Sequence, residues 1–170
     1  MKIKILGCSG GVGGDLQTTS MLVDDDILID AGTGVGGLSL TALQKINHIF
    51  ITHAHMDHIA FLPLLLDSVL GLRDETINVY ASAQVIQILK EHVFNWLIWP
   101  NFNLIPNRQK PLLTYKTLNV GDTVTLVGRM ITALPANHGV PAVGYQLDSG
   151  NQSLVFTGDT AGCKALWDKV

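Results

Sequence analysis

The chain has 170 residues, 47% of them hydrophobic and only 15% charged, with a net charge of −3. That length suits one domain spanning residues 1–170. The hydrophobicity excludes a disordered chain, and the slight acidity argues against a basic footprint for long nucleic acid.

Residues 2–6 (KIKIL) alternate and predict a strand. Five glycines within residues 7–14 then predict a loop. Residues 19–23 and 27–30 predict a hairpin around Asp24, Asp25 and Asp26. A second glycine loop, AGTGVGG at 31–37, leads into a predicted short helix over 38–45. Residues 48–52 are apolar and β-branched, the signature of a buried strand. A helix fits 58–72, with Leu62, Leu65, Leu66 and Val69 on one face. A strand at 77–81 and a helix at 83–92 follow. The stretch 94–106 is apolar and irregular. Its Trp96 and Trp99 are expected to pack on the core or on a second subunit, hinting at a homodimer, more than to stack on a base. Strand-like runs then cover 113–118, 122–127, 129–134, 142–147 and 153–157, and a helix starts near 161.

No linker and no fixed-period repeat interrupts this series. Strands outnumber helices and many are consecutive, which predicts α+β or a layered α/β/α sandwich rather than a doubly wound sheet. The longest apolar stretch, residues 59–66, contains a proline and falls far short of the ~20 residues a membrane span requires. The N-terminal apolar run stops at Gly7, too early for a signal sequence. A cytoplasmic protein is expected. Cys8 and Cys163 form no CxxC pair and are expected to be free, buried thiols. The pattern breaks off at Val170, about nine residues into the last helix, so the chain is expected to lack its C-terminal part.

Residues 53–58 read His-Ala-His-Met-Asp-His, directly after the buried strand. His53, His55, Asp57 and His58 are four candidate metal ligands within six residues. Two imidazoles in an extended segment suit zinc, and a carboxylate beside them widens the choice to manganese or iron. His138 lies in a loop after one strand and Asp159 just past the end of another. Either alone reads as a turn residue. Beside the 53–58 cluster, both are expected to ligate.

THAHMDH is similar to the HxHxDH signature of the metallo-β-lactamase superfamily. The similarity extends to the strand end LIDAG at Asp30, to His138 and to Asp159. The resemblance implies a four-layer αββα sandwich and two divalent metal ions, zinc first, with manganese or iron as alternatives. It implies one metal on His53, His55 and His138, a second on Asp57 and His58, and Asp159 bridging both. Asp57 is also the expected catalytic proton carrier. A last histidine completes the second site in that family, and this chain has none after His138. The segments ILGCSGGVGGDLQTTSMLVDDDILIDAGTGVG, FLPLLLDSV and NWLIWPNF resemble the class II cyclic-nucleotide phosphodiesterase branch, which is close in fold to the tRNase Z group. The implied activity is hydrolysis of a small phosphodiester, a 3′,5′-cyclic nucleotide. Alternatives are another hydrolase of this fold, acting on RNA 3′ ends, a thioester or a lactam, or a metal-binding pseudo-enzyme.

One competing motif weakens on inspection. Gly32, Gly34 and Gly37 satisfy GxGxxG between a strand and a helix. The next strand ends in Thr52 and the histidine cluster, not in the acidic residue that would hold a ribose. These glycines are expected to turn the chain tightly beneath the metal loop. His48 and His92 are expected to be structural or surface histidines, and Ser9 a turn hydroxyl.

Overall fold

The computed structural model describes all 170 residues. Ten strands form two sheets. The first holds β1 (Ile3–Gly7), β2 (Ser20–Val23), β3 (Ile27–Ile29), β4 (His48–Phe50), β5 (Ile77–Ala81) and β6 (Leu113–Thr117), in that spatial order. The second holds β7 (Thr123–Leu126), β8 (Arg129–Pro135), β9 (Val143–Asp148) and β10 (Ser153–Phe156), also in chain order. Strands β1 to β3 run antiparallel, whereas β3 to β6 are mutually parallel. The parallel half requires crossovers, and helices supply them. These are α1 (Leu40–Leu43), α2 (Met56–Ile59) with α3 (Leu62–Val69), and α4 (Ala83–Ile88) with a π-helical turn over Leu89–Val93.

Side-chain alternation divides the core into two layers. Leu28, Ile49, Ile51, Val79 and Leu113 face the helices and join Leu62, Leu65, Leu66 and Val69 of α3. Val23, Ile27, Ile29, Phe50 and Tyr80 face the second sheet, where they meet Ile131, Ala133, Val143, Tyr145 and Leu147. Phe50 stacks on Tyr80 at 4.5 Å and meets Tyr145 edge-on at 5.4 Å. The Tyr145 hydroxyl donates to the Ile51 carbonyl at 2.8 Å, which pins the sheets together just before the histidine cluster. On the far side of the second sheet, α5 (Lys164–Trp167) packs on β8 and buries Leu166.

Several boundaries differ from expectation for visible reasons. The helix predicted over 58–72 is two helices. His55 begins the first, so Asp57 and His58 are helical. Pro63 opens the second, and the Phe61 amide turns to the Ala31 carbonyl at 2.8 Å. The run at 113–118 closes the first sheet and does not join the strands that follow it. Cys8 is exposed, because the glycine loop carrying it lies at the surface, and Cys163 is partly exposed. The expectation of buried thiols is therefore corrected. Within 94–106, Phe94 and Phe102 are buried and Trp99 packs on the helix-side core, while Trp96, Leu97 and Ile98 are exposed. No helix is long and apolar enough to cross a membrane.

One ion-pair cluster fastens the sheets at the end of β8 opposite the loop that carries His138. Arg129 at the start of β8 is buried and donates to Asp26 through both terminal nitrogens at 2.7 Å, and to Asp24 at 2.9 Å. The Asp24 carboxyl lies below its usual value, because the Lys2 amide donates to it and, against a burial penalty, Arg129 lies beside it. A depressed carboxyl stabilises the fold above its unfolded pKa of about 3.9 and loses that contribution as pH falls through the folded value. Arg129→Met should therefore cost about 2 kcal/mol at pH 7, since the two aspartates keep partial access to water. Urea titrations should show the gap to wild type narrowing below about pH 4. A gap independent of pH would assign the loss to packing instead.

Candidate metal centre

Four chain segments converge at one end of the sheets. The first is the strand end after β4, which runs through Thr52 into His53 and His55. Extended backbone at His55 caps α2, so Asp57 and His58 sit on its first turn. The second is Asp30, which follows β3 with a left-handed φ of 54° and donates its amide to the Phe50 carbonyl. The third and fourth are the loop carrying His138 between β8 and β9, and the loop carrying Asp159 after β10. These last two are tied together: the Asn137 amide donates to Thr160 Oγ1 and the Ala161 amide to the Asn137 carbonyl, both at 2.8 Å.

Two glycines let these segments meet. Gly158 adopts φ +60°, and a Cβ there would lie 3.0 Å from the Val143 carbonyl oxygen and 3.2 Å from Thr52 Cβ. Gly32 has ordinary dihedrals, but a Cβ on it would overlap the Asp57 and Thr19 carbonyls and Thr18 Oγ1. The glycine loop therefore supports the metal-ligand helix by close approach, as its position in the sequence suggested.

The donor atoms form two groups that share His53: His53, His55 and His138, and His53, His58 and Asp159. In each, the atoms lie within 4.8 Å of one another. His55 Nδ1 is 3.1 Å from His53 Nε2 and 3.2 Å from His138 Nε2. Tetrahedral zinc, with Zn–N bonds of about 2.0–2.1 Å, spaces its nitrogen ligands by about 3.3 Å, so the three rings fit one ion. His58 Nε2 is buried without a hydrogen-bond partner. It points toward Asp159 at 3.4 Å and Asp57 at 3.7 Å. An orphaned buried nitrogen facing two carboxylates is costly unless a cation lies between them.

Asp30 and Thr52 orient these rings. Asp30 is fully buried and accepts three hydrogen bonds: from the Thr52 amide at 2.8 Å, the Thr52 hydroxyl at 2.8 Å and His58 Nδ1 at 2.7 Å. Burial pushes its carboxyl up, and the His58 and Thr52 donors oppose that shift. For His58, burial favours the neutral ring, but the Asp30 hydrogen bond and the charges of Asp30, Asp159 and Asp57 outweigh it, and its pKa rises. His53 behaves oppositely. Burial, then the positive charge of His58 and His55, lowers it to about 4, so its ring is neutral at pH 7, as a metal ligand must be.

Five of the six predicted ligands fall in these two donor groups; Asp57 lies outside both, 3.7 Å from His58 Nε2, and Asp159 joins only the group of His53 and His58. Asp30 was visible in the sequence only as part of a matching strand end, and Thr52 as one more β-branched residue. Neither signalled its role. His48 packs against Tyr80 with ring centroids 5.9 Å apart, and His92 is exposed, so both lie outside the cluster as expected.

The profile of the Beta-lactamase superfamily domain matches residues 25–169. A probable 3′,5′-cyclic-nucleotide phosphodiesterase of Yersinia pestis is 29% identical over 94% of this chain and 54% of its own. A ribonuclease Z of Pyrococcus abyssi is 31% identical over 70% of this chain and 37% of its own. The chain thus spans about half the length, or less, of these curated relatives. Among solved structures, unliganded yeast PDE1 superposes with a TM-score of 0.76 over 98% of this chain and 68% of its own, at 20% identity. The profile match shows that the chain belongs to the beta-lactamase superfamily, and the likeness to solved structures shows that it has the metallo-β-lactamase fold.

Proposed function

We propose that this chain carries the metal centre of a phosphodiesterase that hydrolyses 3′,5′-cyclic nucleotides. The observation that carries the proposal is the pair of donor groups sharing His53, with His58 Nε2 buried and unpartnered between two carboxylates. His53, His55 and His138 would hold one divalent ion. His58, Asp57 and Asp159 would hold the second. Zinc suits the imidazole-rich group, and manganese or iron the carboxylate-rich one. Such ions, when bound, make hydroxide available near neutral pH and offset charge on the phosphoryl oxygens.

The chain's own residues do the rest. Asp30 and Thr52 hold the rings so that their lone pairs face the opening. Asp57 is partly exposed at the margin and takes the proton released as water attacks phosphorus. In-line displacement breaks the bond from phosphorus to the ribose oxygen, and that oxygen takes up a proton as it leaves, from Asp57 or from solvent. A small anionic substrate is favoured over RNA because the chain has 11 basic residues against 14 acidic ones. The Yersinia relative is compatible with a cyclic nucleotide, and ribonuclease Z relatives match the chain over a similar length, so an assay has to separate the two.

The test is an assay of zinc- and manganese-loaded protein on cyclic AMP, a generic aryl phosphodiester and a transfer-RNA precursor. Cyclic AMP is expected to have the highest kcat/KM. Cleavage of the RNA 3′ end with no cyclic-nucleotide turnover would move the assignment to the ribonuclease Z relatives. Metal binding without turnover of any substrate would leave this chain a metal-binding pseudo-enzyme.

A further inference from the structure

We infer that Thr52 is a positioning residue that fixes the tautomer of His53, the histidine common to both donor groups. The inference rests on the metal-centre reading above and extends it to a side chain outside the ligand set.

Thr52 is fully buried, so its hydroxyl must find its partners inside the protein. A hydroxyl has one proton to give and lone pairs to accept with. Its oxygen lies 2.8 Å from Asp30 Oδ2 and 3.0 Å from His53 Nδ1. Asp30 already accepts from the Thr52 amide and from His58 Nδ1. It is the acceptor of this network, so the Thr52 proton goes to Oδ2. The hydroxyl oxygen can then only accept from His53. That places the His53 proton on Nδ1 and leaves the Nε2 lone pair facing His55 and His138.

The His58 ring lies 3.5 Å from the same hydroxyl but 2.7 Å from Asp30, so it takes the carboxylate directly. One buried carboxylate therefore orients two rings, His58 by contact and His53 through the Thr52 hydroxyl. The rest of Thr52 is fixed from the second sheet. Its carbonyl accepts from the Val143 amide at 3.0 Å, and its side chain lies beneath Gly158. The backbone that carries Asp159 thus rests on the residue that orients His53.

The test compares Thr52→Val, which keeps the shape and removes the hydroxyl, with Thr52→Ser, which keeps the hydroxyl. Zinc affinity by chelator competition and the visible spectrum of the cobalt-substituted protein are read for each. Thr52→Val should bind metal about 10–100-fold more weakly and give an altered cobalt spectrum, whereas Thr52→Ser should stay near wild type. Wild-type affinity in Thr52→Val would overturn the inference. So would equal losses in both variants, since the site would then respond to any change of shape at position 52 and not to the hydroxyl in particular. Ring nitrogen NMR of metal-free wild type at pH 7 gives a check that needs no variant. His53 should carry its proton on Nδ1, and a proton on Nε2 would overturn the inference. Failure of the wild-type protein to bind metal at all would instead defeat the metal-centre reading.

Discussion

Replacing His53 and His55 together by alanine should reduce bound zinc to below about a tenth of the wild-type content. His53 belongs to both donor groups, so its loss breaks both at once. Removing His55 as well leaves His138 as the sole nitrogen of its group. The remaining donors, His58, Asp57 and Asp159, would keep at most a weak, solvent-open site. Elemental analysis after dialysis measures the result. His92→Ala, on an exposed ring outside the cluster, serves as the matched control and should keep its full metal content. Full occupancy in the double variant would mean that the metal binds elsewhere.

Asp30→Ala should have the largest combined effect on stability and metal affinity. It strands three donors in a dry interior: the Thr52 amide, the Thr52 hydroxyl and His58 Nδ1. Each stranded buried donor costs about 1–3 kcal/mol, so a loss of at least about 3 kcal/mol is expected. Zinc affinity should fall about 10–100-fold, because His58 loses its orienting acceptor and His53 loses it through Thr52. Urea unfolding of the metal-free protein separates the stability loss from the affinity loss, which chelator competition reads. An unchanged affinity would show that the carboxylate supports the fold without tuning the rings.

The candidate ligands were legible in the sequence because they are chemically conspicuous. A buried strand that empties into His53, His55, Asp57 and His58 has no packing explanation. The loop positions of His138 and Asp159 then acquired meaning from that cluster. The residues behind the ligands were not legible in the same way. An aspartate after three aliphatic residues looks like a turn former, and only the fold shows Asp30 turned inward with a left-handed backbone. Thr52 looks like any β-branched residue of a strand until its hydroxyl is placed between a carboxylate and an imidazole. Local chemistry was also underweighted twice. Pro63 signalled the break between α2 and α3, and the glycines around Cys8 signalled a surface loop. In both cases a general preference, for long amphipathic helices or for buried cysteines, obscured the nearer signal.

In both sheets every hydrogen-bonded neighbour is also the next strand in the chain. A nascent polypeptide can therefore add strands in the order of their synthesis, without holding early segments open for late ones. The cost is timing. The first sheet is complete once β6 has emerged, yet its face bearing Phe50 and Tyr80 has no cover until β8 and β9 follow. Roughly thirty residues separate those events, which is about 2–6 s at ordinary translation rates. Arg129 can reach Asp24 and Asp26 no earlier than that interval, closing contacts across more than a hundred residues. The surface that ends as the dry middle of the sandwich is thus the one most open to aggregation while the chain is being made.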